Sequence, residues 1–193
     1  MFDAASMQAW CEQGLSYEEF VALGTPDGHH LQWHDRYDRL ALHDADRARL
    51  GAFTREMRIL TLTGTWCGDC ALQGASFARI AEGAPGRIHL RFLSRNDHAD
   101  LQVKVPINGG FRVPVTFFLA EDFEPVARFG DRTLSRYRSM ARKALAPGTP
   151  EVAALAPAPD DPVRAVLAEV LDEVERVQLL LRLSPRLRQR HGD

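Results

Sequence analysis

The sequence predicts an α/β fold: a central mixed β-sheet flanked by helices, with extra helices at both ends. Three observations predict it. Met57–Thr63 is a β-rich run closed by Gly64. Cys70, Gly74, Phe77 and Ala81 then recur at helical spacing, and residues 88–93 form a second β-rich run. Strand, helix and strand over so short a span make a βαβ unit, which implies parallel pairing and a right-handed crossover.

The remaining elements follow in order. Residues 1–54 read as a helical N-terminal extension. In it Trp10, Leu15 and Phe20 are expected to share one apolar surface. Trp33, Tyr37, Leu40 and Phe53 are expected to share another, on a helix starting near Gln32. Thr25-Pro26-Asp27-Gly28 between them is turn chemistry. Gly83-Ala84-Pro85-Gly86 ends the helix that carries Cys70. Residues 97–103 read as a short helix and 113–119 as a third strand. A turn at Glu121-Asp122 leads into an antiparallel fourth strand over 125–129. A final core helix is expected over 133–146, with Leu134, Tyr137 and Ala141 packed on the sheet. The core is therefore placed at 55–146. Five prolines across 147–162 make that stretch a linker or surface loop, and a strong amphipathic helix follows over 163–183 within a last segment of 163–193.

Composition narrows the function. The chain has 193 residues, 45% hydrophobic and 26% charged, which is ordinary globular composition and excludes a disordered or fibrous chain. Lys and Arg number 24 against 26 for Asp and Glu, so no global basic field recruits nucleic acid or an anionic membrane. The longest stretch without a charged residue, Ile59 to Gly68, has ten residues, half the ~20 that a membrane span needs. No secretory signal is visible at the N-terminus, and the expected compartment is the cytoplasm.

Three cysteines do not make a disulfide scaffold, but Cys67 and Cys70 sit three apart at the strand-to-helix junction. There the first thiolate faces the unpaired N–H groups and positive end of the helix. Two intervening residues let the sulfurs meet within one turn. Cys67 can then attack a disulfide and Cys70 can resolve the mixed disulfide. Gly68 lets a partner backbone come close, and Trp66 forms an apolar lip. The alternatives are a buried structural pair and half of a zinc site. Zinc needs four ligands in most structural sites, and no second CxxC or HxxH pair is present. Cys11 reads as a packed apolar residue and His98 as a surface-loop residue.

Trp66-Cys67-Gly68-Asp69-Cys70, followed by Val113-Pro114-Val115-Thr116, a hairpin and a helix, resembles the thioredoxin-like family. The resemblance is to the bacterial type with this motif and a helical N-terminal extension, over residues 55–146. It implies a thioredoxin fold and a cis Pro114 facing the cysteines. It also implies that the Val113 backbone pairs with an extended substrate. The activity it implies is reduction of disulfides in protein substrates. No bound cofactor is implied, and a partner reductase or small thiol supplies the electrons.

Two departures matter. Thr61 stands where thioredoxins carry a buried acid, six residues before the first cysteine, so Asp69 is the candidate proton handler. Asp69 itself replaces the usual proline. Its charge opposes the Cys67 thiolate by about 1 kcal/mol, and the helix end favours it by ~0.3–1 kcal/mol. A modestly lowered Cys67 pKa follows, which suits a reductase. Arg112 is a candidate to offset Asp69, or a solvated strand-edge residue. Asn108-Gly109-Gly110 is a turn that could shape the substrate groove.

The rival readings are a binding or assembly module with a regulatory cysteine pair, a thiol peroxidase, and an exported reductase. The peroxidase would need a Thr where Gly64 stands, and the exported reductase would need a signal. On the terminal helix, Val163, Leu167, Val170, Val174, Val177 and Leu181 form a heptad-like stripe, read as core packing or as a homodimer seam.

Overall fold

A computed structural model describes residues 2–193. Four helices precede the first strand: α1 (Ala4–Gln13), α2 (Tyr17–Ala22), α3 (His30–Arg39) and α4 (Asp44–Gly51). The core then runs β1 (Met57–Thr63), α5 (Gly68–Gly83), β2 (Ile88–Ser94), α6 (Ala99–Gln102), β3 (Val115–Ala120) and β4 (Pro125–Gly130). Four further helices close the chain: α7 (Leu134–Ala144), α8 (Pro150–Ala153), α9 (Pro162–Leu183) and α10 (Pro185–His191). The strands form one mixed sheet in the order β2-β1-β3-β4. β1 and β2 are parallel, with Met57 opposite Ile88; β3 and β4 are antiparallel to their neighbours.

Alternation along the strands divides the core. Leu60 and Leu62 of β1 point to one face, with Val115, Phe117 and Leu119 of β3, under Met7 and Trp10 of α1 and Leu101 of α6. Met57 and Ile59 point to the other, with Phe118 and Ala120, under α5 and α9. Trp10 and Phe20, expected on one surface, lie in different clusters. Trp10 covers the α1 face, and Phe20 packs with Trp33, Cys70 and Phe92 beside β2. The chain reverses between α1 and α2, where Leu15 exchanges two 2.9 Å backbone hydrogen bonds with Phe92 and caps the edge of the sheet.

The N-terminal helices are built into this body. A Cβ at Gly74 would lie 2.3 Å from the Trp33 ring, so the absent side chain lets α3 approach α5. Arg164 of α9 pairs with the buried Asp46 of α4 at 2.8 Å, which joins the two ends of the chain.

All six stripe residues of α9 are buried within this chain, the most exposed being Val163 at 8%. The stripe is core packing and is not left free as a dimer seam. Asp161 caps the helix through the Val163 and Arg164 N–H groups. Leu167→Ala is expected to destabilise the fold by about 2–5 kcal/mol, the range for a truncated buried leucine. Denaturant unfolding measures the loss. Its midpoint should not move with protein concentration, as it would for a helix stabilised by a second copy.

α7 departs from expectation. It buries no residue, and Leu134 and Tyr137 are 57% and 41% exposed. The reason lies later in the chain: α9 takes the place beside α5 on the sheet, and α7 packs on α9. The basic tail is largely neutralised by the β3–β4 turn. Arg186 pairs with Asp122, and Arg190 and His191 pair with Glu121, both at 2.9 Å.

Candidate active site

Cys67 is the N-cap of α5, at the end of the sheet where β1 delivers the chain. α3 holds the loop between them. The Thr65 carbonyl accepts hydrogen bonds from Gln32 Nε2 and Trp33 Nε1, both at 2.8 Å. His29 Nδ1 lies 3.2 Å from Thr65 Oγ1. The helical extension thus fixes the residue two places before Cys67, which the sequence did not reveal.

The two cysteines are free thiols in different surroundings: Cys67 is half-buried and Cys70 is fully buried. The Cys70 backbone N–H donates to Cys67 Sγ at 3.3 Å. Cys67 Sγ lies 3.9 Å from the Val113 carbonyl oxygen. The Cys67 pKa is drawn down to about 7, first by the hydrogen bond from the Cys70 thiol. The Cys70 and Asp69 backbone N–H groups act in the same direction, while burial and the Asp69 charge oppose it. Burial pushes the Cys70 thiol well above its ordinary value, and the shared hydrogen bond with Cys67 adds to this. One sulfur is therefore about half ionised at neutral pH while the other keeps its proton.

The Val113–Pro114 peptide is cis, as the resemblance implies. The strand after it is pinned by β4. A Cβ on Gly130 would lie 2.5 Å from the Pro114 carbonyl oxygen, so only glycine permits this approach. Val113 is buried, and Trp66, next to Cys67, is 48% exposed.

Asp69 and Arg112 take positions that the sequence did not reveal. Asp69 is 9% exposed, and each of its carboxylate oxygens is held by an arginine: Oδ2 by Arg132 Nε and Oδ1 by Arg136 Nε, both at 2.6 Å. An arginine does offset Asp69, but it is not Arg112. Arg112 donates instead to Asp131 Oδ2 at 3.1 Å, which Arg132 also reaches at 3.0 Å. Tyr137 donates its hydroxyl to the other oxygen of Asp131. Burial works against the Asp131 charge, but the Tyr137 and Arg112 hydrogen bonds hold its carboxyl below the ordinary range. The resulting chain, Asp69–Arg132–Asp131–Arg112, ties the CxxC turn to the proline loop. Its members from the β4–α7 connection lie more than 60 residues from Asp69 along the chain, and no local pattern announces them.

Thr61 stands buried at the position of the missing acid, with Oγ1 3.0 Å from Thr116 Oγ1. A hydroxyl pair fills the space. Thr63, two residues on, is also fully buried. Cys11 lies elsewhere, near Arg58 and Arg91, and burial raises its thiol to about 11. Among the described residues no group of three or more His, Cys, Asp or Glu side chains could hold a metal ion, and no helix is long and apolar enough to cross a membrane.

Comparison with known proteins agrees with this geometry. No curated protein matches the chain. Among solved structures, a Pseudomonas aeruginosa protein of unknown function is similar at 22% identity and a TM-score of 0.62. The match covers 92% of this chain and 97% of that one. An HIV epitope scaffold is similar at 20% identity and a TM-score of 0.60, over 88% of this chain and 95% of its own. At these identities the likeness concerns the fold. A family model described as Thioredoxin matches residues 14–143, which takes in α2–α4 as well as the sheet. The sheet order, the cysteine pair at the head of α5 and this match together place the chain in the thioredoxin family.

Proposed function

We propose that this chain is a thiol–disulfide oxidoreductase that reduces disulfides in protein substrates. One observation carries the reading: a half-buried sulfur caps a helix beside the proline loop, held by the backbone N–H of a second, fully buried cysteine. The Cys67 thiolate attacks one sulfur of a substrate disulfide. A mixed disulfide forms, and the first substrate thiolate leaves and takes a proton from solvent. Cys70 then attacks Cys67 Sγ, and its proton passes to the departing second substrate thiolate. The second substrate thiol is released, and Cys67 and Cys70 are left as a disulfide. Two electrons have passed to the substrate. A partner dithiol reductase or a small thiol returns them, in a reducing compartment such as the cytoplasm.

In this reading Val113 and Pro114 align the substrate backbone, Trp66 and Gly68 shape the mouth, and Arg112 braces the proline loop through Asp131. Asp69 acts through its clamp. Both of its oxygens are engaged by Arg132 and Arg136, which pair it beside the nucleophile.

Insulin reduction with excess dithiol tests the proposal. Wild-type protein should accelerate precipitation of the freed B chain, and Cys67→Ser should leave only the rate of the dithiol itself. No acceleration by the wild type would favour a binding module with a regulatory cysteine pair.

A further inference from the structure

The geometry points to a preference for substrates with an acidic residue beside the reducible cystine, with Arg95 as the residue that sets it. This rests on the reductase reading and names its substrate class. Arg95 follows β2 at the same end of the sheet as Cys67, and its backbone N–H donates to the Thr63 carbonyl at 2.9 Å. Its guanidinium bridges the two walls of the mouth. Arg95 Cζ lies 5.8 Å from the centre of the Trp66 ring, and Nη1 donates to the Phe111 carbonyl at 3.1 Å. Trp66 adjoins the nucleophile, and Phe111 lies two residues before Val113, whose carbonyl faces its sulfur. Both rings are about half exposed, at 48% and 52%.

The charge at this mouth is unbalanced. Arg112, Arg132 and Arg136 have their carboxylates, Asp69 and Asp131. Arg95 spends one N–H on a carbonyl, and among the described residues no carboxylate oxygen lies within 4.0 Å of it. Within this arginine–aspartate set four arginines face two aspartates, a local excess of positive charge in a chain whose net charge is −2. A guanidinium has five donors in a fixed fork suited to a carboxylate. An extended segment laid along Val113 would bring residues next to its cysteine between Trp66 and Phe111. An acid there gives Arg95 its missing partner, and a lysine there meets a like charge.

The test uses reduced protein and two disulfide-bonded peptides of one length, with Glu or Lys flanking the cystine, and measures kcat/KM for reduction. The acidic peptide should be favoured by roughly three- to fivefold, the worth of a solvent-accessible ion pair. Raising the salt should shrink the ratio. Arg95→Gln should abolish the preference and Arg95→Glu should invert it, while reduction of an uncharged peptide stays within twofold. Equal rates for both peptides, or a preference that survives Arg95→Gln, would overturn the inference and leave the reductase reading standing. Failure to reduce any peptide faster than Cys67→Ser does would overturn both.

Discussion

Cys70→Ser should convert the protein from a turnover catalyst into a trap. With Cys67 intact, the first attack proceeds, but no thiol remains to resolve the mixed disulfide. Substrate proteins should accumulate as covalent adducts on Cys67, released by dithiol and absent from the Cys67→Ser, Cys70→Ser double variant. Cys67→Ser alone should lose all reductase turnover and form no adducts, because Cys70 is fully buried and its thiol is held well above its ordinary pKa. Mass spectrometry of dithiol-released partners and a simple turnover assay read both effects. Adducts forming equally well on Cys67→Ser would reverse the assigned roles.

The second large effect concerns the carboxylate beside the nucleophile. Arg132→Gln removes one of the two guanidinium partners of Asp69 and unlinks it from Asp131. An Asp69 charge no longer balanced opposes the Cys67 thiolate by about 1 kcal/mol. The Cys67 pKa should rise by roughly 0.7 unit on that figure. Alkylation of Cys67 at pH 7 should slow by about threefold. Leaving a nearly buried carboxylate short of a partner should also destabilise the fold by about 1–3 kcal/mol. Asp69→Asn in the Arg132→Gln background should restore the pKa, since the amide carries no charge. A variant whose pKa stays raised without that charge would show that Arg132 acts on the loop geometry instead. The pair of substitutions thus separates electrostatics from positioning.

Much of the fold was legible because it rests on local periodicity. The β1–α5–β2 unit follows from a β-rich run, a helical repeat and a second β-rich run, and the observed elements match within a residue or two. The cysteine pair of the candidate site was legible for the same reason, since a CxxC at a strand-to-helix junction is a local pattern. The cis Pro114 came from family resemblance, because Val-Pro-Val by itself suits an ordinary strand start. What escaped was tertiary. The apolar spacing of α7 shows which side is greasy but not what covers it, and the later α9 claims the sheet. The α9 stripe fits a core or a coiled coil equally well until the groove beside α5 is seen. The Asp69 charge was weighed only against the helix end, yet Arg132 before α7 and Arg136 within it enclose its carboxylate from far along the chain. Gln32 and Trp33 look like helix-face residues, and their grip on the Thr65 carbonyl depends on how α3 lands on α5.

The central claim is that the helix start makes one sulfur ionised and reachable while its neighbour stays protonated. Peptide-resolved alkylation of the fully reduced wild-type protein, followed from pH 5 to 10, tests it most directly. The deprotonated sulfur is the reactive form, so labelling must rise with pH, and for Cys67 the midpoint should fall at about 7 rather than at the ordinary 9.0. Cys70 should remain unlabelled across that range. A Cys67 midpoint at or above 9, or earlier labelling of Cys70, would contradict the account.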